Sequence, residues 1–172
     1  MAAPNKVLPG FSASMWMQTG AAPSFLTTAN LSVWTGQVAA IVGAAANGTG
    51  LSGTQLNVEA IPAFGQDDAV VSFTVAGSRQ SDKLVAQSAP TSMTITAAWN
   101  PNDSGLLLIR ADAYSGLIDR TYVIAAVDGA STIAYAFNAR ASQFQIDMAP
   151  GAEAKCTFTL HPRGNQYGWS NT

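Results

Sequence analysis

Between residues 90 and 164 the chain sets out one order of signals: a strand, a Trp-Asn-Pro corner, a short apolar helix, then strands closed by Asp-Gly and Pro-Gly turns. That order predicts a mainly β domain with one helix packed on it. Residues 91–98 alternate as a half-buried strand does, with Met93, Ile95 and Ala97 on one face and Thr94 and Thr96 on the other. Trp99-Asn100-Pro101 ends that strand, and Asn102, Asp103 and Ser104 offer N-cap oxygens to a helix running through Leu106, Leu107, Leu108, Ile109, Ala111 and Ala113. Ser115-Gly116 is its stop. Only Arg110 and Asp112 interrupt the apolar surface of this helix, so it is expected to be covered on more than its sheet-facing side.

Asp128-Gly129 sits between two strand-like runs, residues 120–127 and 131–137, and suits the positive φ angles of a tight hairpin. Beyond it, Phe144, Ile146 and Met148 alternate with Gln143, Gln145 and Asp147. After Pro150-Gly151, Cys156, Phe158 and Leu160 alternate with Lys155, Thr157, Thr159 and His161. A second hairpin is predicted, followed by a polar tail from Arg163 onward.

In this stretch the chain resembles the major tail tube protein of long-tailed bacteriophages, a family related in fold to the type VI secretion tube protein. The resemblance rests on the strand ending in Ala97-Ala98-Trp99-Asn100-Pro101, the helix from Leu106 to Tyr114, the strand Arg120-Thr121-Tyr122-Val123-Ile124 and the closing strand Ala154-Lys155-Cys156-Thr157-Phe158-Thr159-Leu160. It covers the C-terminal half. Pro9-Gly10-Phe11 with Met15-Trp16-Met17 is loosely similar to the family's opening. The resemblance implies a β-sandwich or barrel-like tail tube fold over residues 1–164; composition adds a flexible Ala/Gly-rich loop at 43–53 and a polar C-terminal tail at 165–172. The resemblance further implies hexameric rings stacked into a tube, a lumen lined by joined sheets, and passage of DNA through it. Terminator, tape measure and tip proteins would be the partners, and the place would be the virion tail, assembled in the bacterial cytoplasm without cofactor or catalysis.

Composition bears on the same question. Charged residues make up 10% of the chain, against about 25% in ordinary soluble domains, and residues 7–58 carry no formal charge at all. A surface so weakly charged desolvates easily, and burial between subunits accounts for it. A net charge of −2 and eight basic residues that, scattered, form no patch argue against a protein that clamps nucleic acid. Cys156, alternating with Phe158 and Leu160, reads as a core residue in a reducing compartment. No apolar run reaches the roughly 18 residues of a membrane span, and Pro9, Gly10, Ser12 and Gln18 spoil the opening as a signal sequence. No membrane insertion is expected.

In the first half, residues 11–18 are predicted as a strand around Trp16, and residues 26–42 as one bent strand or two short ones. Gln55, Asn57 and Glu59 alternate with Leu56, Val58 and Ala60, and residues 69–76 follow as another strand. Residues 79–88 read as a polar connecting loop. The Ala/Gly-rich loop, including Asn47, Gly48, Thr49, Gly50 and Leu51, is a candidate ring contact.

The chemistry-bearing patterns are weak. Gly48-Thr49-Gly50-Leu51-Ser52-Gly53 fits a dinucleotide fingerprint with Asp67 and Asp68 downstream, but the next residues have the period of a strand where that motif needs a helix. No G-x-S-x-G occurs, and the lone His161 at a strand end beside Pro162 reads as a surface residue. Asp67, Asp68 and Glu59 are a weak candidate for a hard cation, and Asn30, Asn47 and Asn102 head glycosylation sequons without a secretory context. Trp16, Trp34, Trp99 and Trp169 raise a carbohydrate-binding β-sandwich as the rival class; a secretion-tube subunit and a head-tail joining or decoration protein are the others. Leu107, Leu108, Tyr114, Tyr167 and Trp169 are the remaining candidate subunit contacts, and Thr94, Thr96, Gln143, Gln145 and Asp147 the candidate lumen-facing residues.

Overall fold

The computed structural model describes residues 12–19, 53–74, 81–128 and 131–171. Strands β1 (Ser12–Gln18), β2 (Gly53–Leu56), β3 (Val58–Ala60), β6 (Met93–Ala98), β7 (Asp119–Asp128), β8 (Ser131–Asp147) and β9 (Lys155–Asn171) form one antiparallel sheet in the order β2-β1-β7-β8-β9-β6-β3. Its two outermost members are consecutive in sequence. Only Asn57 separates β2 from β3, and its carbonyl accepts a hydrogen bond from the Ala98 amide at 3.2 Å. One bent strand therefore pairs with β1 through its first half and with β6 through its second, which closes the sheet into a barrel.

Alternation decides which face goes inward. Met93, Ile95 and Ala97 on β6, Cys156, Phe158 and Leu160 on β9, Tyr122 and Ile124 on β7, Phe137, Ala139 and Ala141 on β8, and Met15 and Met17 on β1 are all buried in one core. Each large side chain buried there contributes about 1.5–3 kcal/mol. Trp99 sits at the end of β6, edge-on to Phe144 at 5.8 Å between ring centres, and Phe144 stacks on Phe158 at 6.1 Å. This tryptophan is a packing residue, as its position before Pro101 suggests.

Helix α1 (Ser104–Ser115) lies against β8 and β2 and adds Leu106 and Ile109 to the core. Of the three offered caps the structure uses Asp103, whose carboxylate accepts from the amides of Gly105 at 2.8 Å and Leu106 at 3.2 Å. Gly116, at φ 62°, ends the helix and returns its amide to the Asp112 carbonyl. The first turn approaches β2 so closely that a Cβ on Gly105 would lie 2.9 Å from a Leu56 methyl and 3.1 Å from that of Thr54. Gly105→Val is therefore expected to cost about 1–3 kcal/mol by overpacking, read as a lower urea midpoint with an unchanged slope.

The Asp128 hairpin is present, its register closing at Asp128 opposite Ser131, and so is the Pro150-Gly151 hairpin, with Gly151 at φ 79°. Three expectations are corrected. Residues 81–88, read as a connecting loop, belong to β5 (Ser81–Pro90), which pairs with β4 (Gln66–Thr74) as a separate two-stranded ribbon. The polar tail is not a free end either, because β9 continues along β8 to Asn171, with Ala134 opposite Trp169 and Ala136 opposite Tyr167. Both segments are rich in polar residues, which weakens the strand signal that a long apolar alternation would give. Met148 is exposed, whereas Phe144 and Ile146 pack on the core; Gln143, at φ 54°, sits in a register shift between Ser142 and Gln145. The expected loop at 43–53 and the strands at 26–42 lie outside the described residues, apart from Gly53, which opens β2.

Candidate functional site

The proposed lumen residues converge on one outward face. Across β6, β9 and β8 the pairs Thr94↔Thr159, Thr96↔Thr157, Gln145↔Thr157 and Asp147↔Lys155 place Thr94, Thr96, Gln145 and Asp147 opposite the core. Thr94 and Thr159 hydroxyls lie 3.3 Å apart, and the Thr159 hydroxyl donates to the Gln143 side-chain oxygen at 3.3 Å. A threonine hydroxyl has one hydrogen, so Thr94 donates to Thr159 and the hydrogen bonds run sideways across the sheet. At one end Lys155 pairs with Glu59 at 2.6 Å, and this carboxylate raises the affinity of the ammonium for its proton. Asp147 and Glu153 add negative charge there.

Two of the basic residues, Arg140 and Arg163, meet in space although they are far apart in sequence. Arg140 on β8 lies opposite His161 on β9, Arg163 is two residues further along the same face, and Asp119 on β7 lies opposite Arg140. Asp119 accepts from Arg140 Nε at 2.8 Å and from Arg163 at 2.9 Å. His161 hydrogen-bonds Ser92 through Nδ1 at 2.9 Å and Ser142 through Nε2 at 2.8 Å. Register, not spacing in the sequence, brings these side chains together.

The helix candidates divide. Leu107 and Tyr114 are exposed at 41% and 74%, and Leu117 and Ile118 extend the same apolar strip beyond the helix end. Leu108 instead packs partly buried against the core. Arg110 sits 5.9 Å over the Tyr114 ring. Asp112, read from sequence as a break in the apolar surface, is buried on the inner stripe with Arg120, which grips both its oxygens and also donates to the Thr19 carbonyl. That pair ties the helix to β7 and to the exit of β1, and no local pattern announces it. Beneath it, burial and the Asp112 charge push the Tyr122 hydroxyl well above the ordinary tyrosine range.

The β4–β5 ribbon shows Val70 and Leu84 at 56% and 59% exposure. They belong to adjacent rungs, Val70↔Val85 and Val71↔Leu84, so each ribbon face carries an uncovered apolar side chain. Asn47, Gly48, Thr49, Gly50 and Leu51 lie outside the described residues, as do the side chains of Tyr167 and Trp169. Cys156 is buried, which pushes its thiol above the usual range. No described helix is long and apolar enough to cross a membrane.

No protein-family model matches the chain, and no curated protein matches it in sequence. Solved structures do. A chain in the cryo-EM structure of the anti-feeding prophage (AFP) baseplate, six-fold symmetrised, aligns over 98% of this chain and 97% of its own, at TM-score 0.61 and 12% identity. The tube-terminating cap of the same prophage aligns over 69% of this chain and 82% of its own, with TM-score 0.53 and 13% identity. The SPP1 tail tube aligns over 91% of this chain and 75% of its own, with TM-score 0.53 and 12% identity. The chain is mainly β with one packed helix, and its fold is similar to that of these phage-like tail tube and baseplate proteins.

Proposed function

We propose that the chain is a non-enzymatic structural subunit of a phage-like tail, assembling into stacked hexameric rings that form a conduit. The observation that carries this reading is the end-to-end fold match with a chain of a six-fold symmetrised baseplate. The apolar side chains exposed on and after α1 and the ribbon with an uncovered apolar side chain on each face supply surface that a lone subunit would leave wet. Leu107 and Tyr114, the ribbon, residues 47–51 and the end of β9 are the proposed contacts between copies.

The face of β6, β9 and β8 is the proposed channel wall. Along its Thr94 to Asp147 part the hydroxyls bond to one another, which lowers the number of donors offered to a passing polyanion, and the Asp147 end is acidic, while the Arg140 and Arg163 end of the same face is net positive. In this reading the protein acts in the virion tail beside terminator, tape measure and tip proteins, after assembly in the bacterial cytoplasm. A second reading, a single ring at a tube end, is favoured by the fuller match to the AFP baseplate than to the SPP1 tube.

Negative-stain electron microscopy of the purified chain over a concentration series tests both. Tubes of regular bore are expected. Isolated rings that never stack would select the tube-end reading, and a chain that stays monomeric at every concentration would overturn both.

A further inference from the structure

We propose that the outward face where β7, β8 and β9 meet is a phosphate-binding site built from Arg140, Arg163, His161, Ser92 and Ser142. It is independent of whether this face lines a channel. Two guanidinium groups share the single Asp119 carboxylate, which leaves the group with a net positive charge of one before His161 is counted. Arg163 gives one nitrogen to Asp119 while its side chain is 58% exposed, so its planar fork is presented to solvent. The acidic residues of the same sheet face, Glu59 and Asp147, lie at its other end beside Lys155, several rungs away along β8 and β9.

The imidazole adds neutral donors to this group. Both of its nitrogens are held by serine hydroxyls. When the ring is neutral, one nitrogen accepts from a serine and the other donates to a serine. The serine that accepts keeps its own O–H for an outside acceptor. When the ring is protonated both serines accept, and both hydroxyl hydrogens are available. In either state the rung opposite Arg140 offers at least one neutral donor beside two guanidinium groups, a donor set that matches the oxygens of a phosphate group. The shared chemistry covers a backbone phosphate of a nucleic acid and free inorganic phosphate.

Because the chain has one histidine, its Cε1 proton gives a single reporter resonance. The full chain would be titrated at fixed neutral pH and fixed ionic strength, in one arm with inorganic phosphate replacing chloride and in the other with a short DNA duplex. Saturable movement of the resonance by phosphate is expected, with an affinity about tenfold weaker in Arg163→Gln, as loss of one charge-assisted contact implies. Movement by the duplex that phosphate reverses assigns the site to backbone phosphates, and response to phosphate alone assigns it to the free anion. No saturable movement in either arm, or equal affinity in Arg163→Gln, overturns the proposal. Arg163 is exposed enough for that variant to fold, which its unchanged far-ultraviolet circular dichroism would verify.

Discussion

Replacing Arg120 with methionine is expected to destabilise the subunit by about 3–5 kcal/mol, a large fraction of the stability of any single domain. The substitution leaves the Asp112 carboxylate, 2% exposed, without its guanidinium and removes a donor from the Thr19 carbonyl. Urea unfolding followed by tryptophan fluorescence measures the loss. Adding Asp112→Ala to the same chain should return much of it, because a buried pair removed as a unit takes its desolvation penalty with it. A double variant as unstable as the single one would show that the damage comes from lost packing under α1 and not from a stranded charge.

The second large effect separates assembly from folding on one helix. Leu107→Asp is expected to leave unfolding stability within about 0.5 kcal/mol, since Leu107 touches solvent, while abolishing ring or tube formation. Leu108→Asp is expected to destabilise the fold itself by about 1–3 kcal/mol, because Leu108 packs against the core. Both leucines are candidate contacts by sequence, and their different burial is what separates the two expected effects. Parallel denaturation and electron microscopy of the two variants decide the matter. Normal tubes from Leu107→Asp would remove α1 from the proposed contacts.

What was legible in the chain followed from how each element is held. Strand β6 and its Trp-Asn-Pro corner, helix α1 with its cap and glycine stop, and both C-terminal hairpins could be read because a core face, a cap or a turn leaves its mark on neighbouring residues. The ribbon partner β5 and the last stretch of β9 could not, since backbone pairing makes few demands on side chains and polar sequences such as these carry little strand signal. Site residues divide similarly. Thr94, Thr96, Gln145 and Asp147 share a face through simple alternation, whereas the Arg140, His161 and Arg163 cluster depends on register across strands. Asp112 and Arg120 are eight residues apart on different elements, and a carboxylate within a helix reads as exposed until its partner is seen.

The joint at Asn57 has a mechanical consequence. The pairings on either side of it are short, four residue pairs between β1 and β2 and two between β3 and β6, the fewest of any adjacent strands among the described residues of the barrel. Yet peeling off one edge does not release it. A detached β3 stays leashed to β2 one residue away, at a high effective concentration beside its old partner β6, and rejoins as an intramolecular event. Under outward load the wall can fray at this seam and mend itself, and a chain cut at Asn57 would lose that tether while every side-chain contact stayed the same.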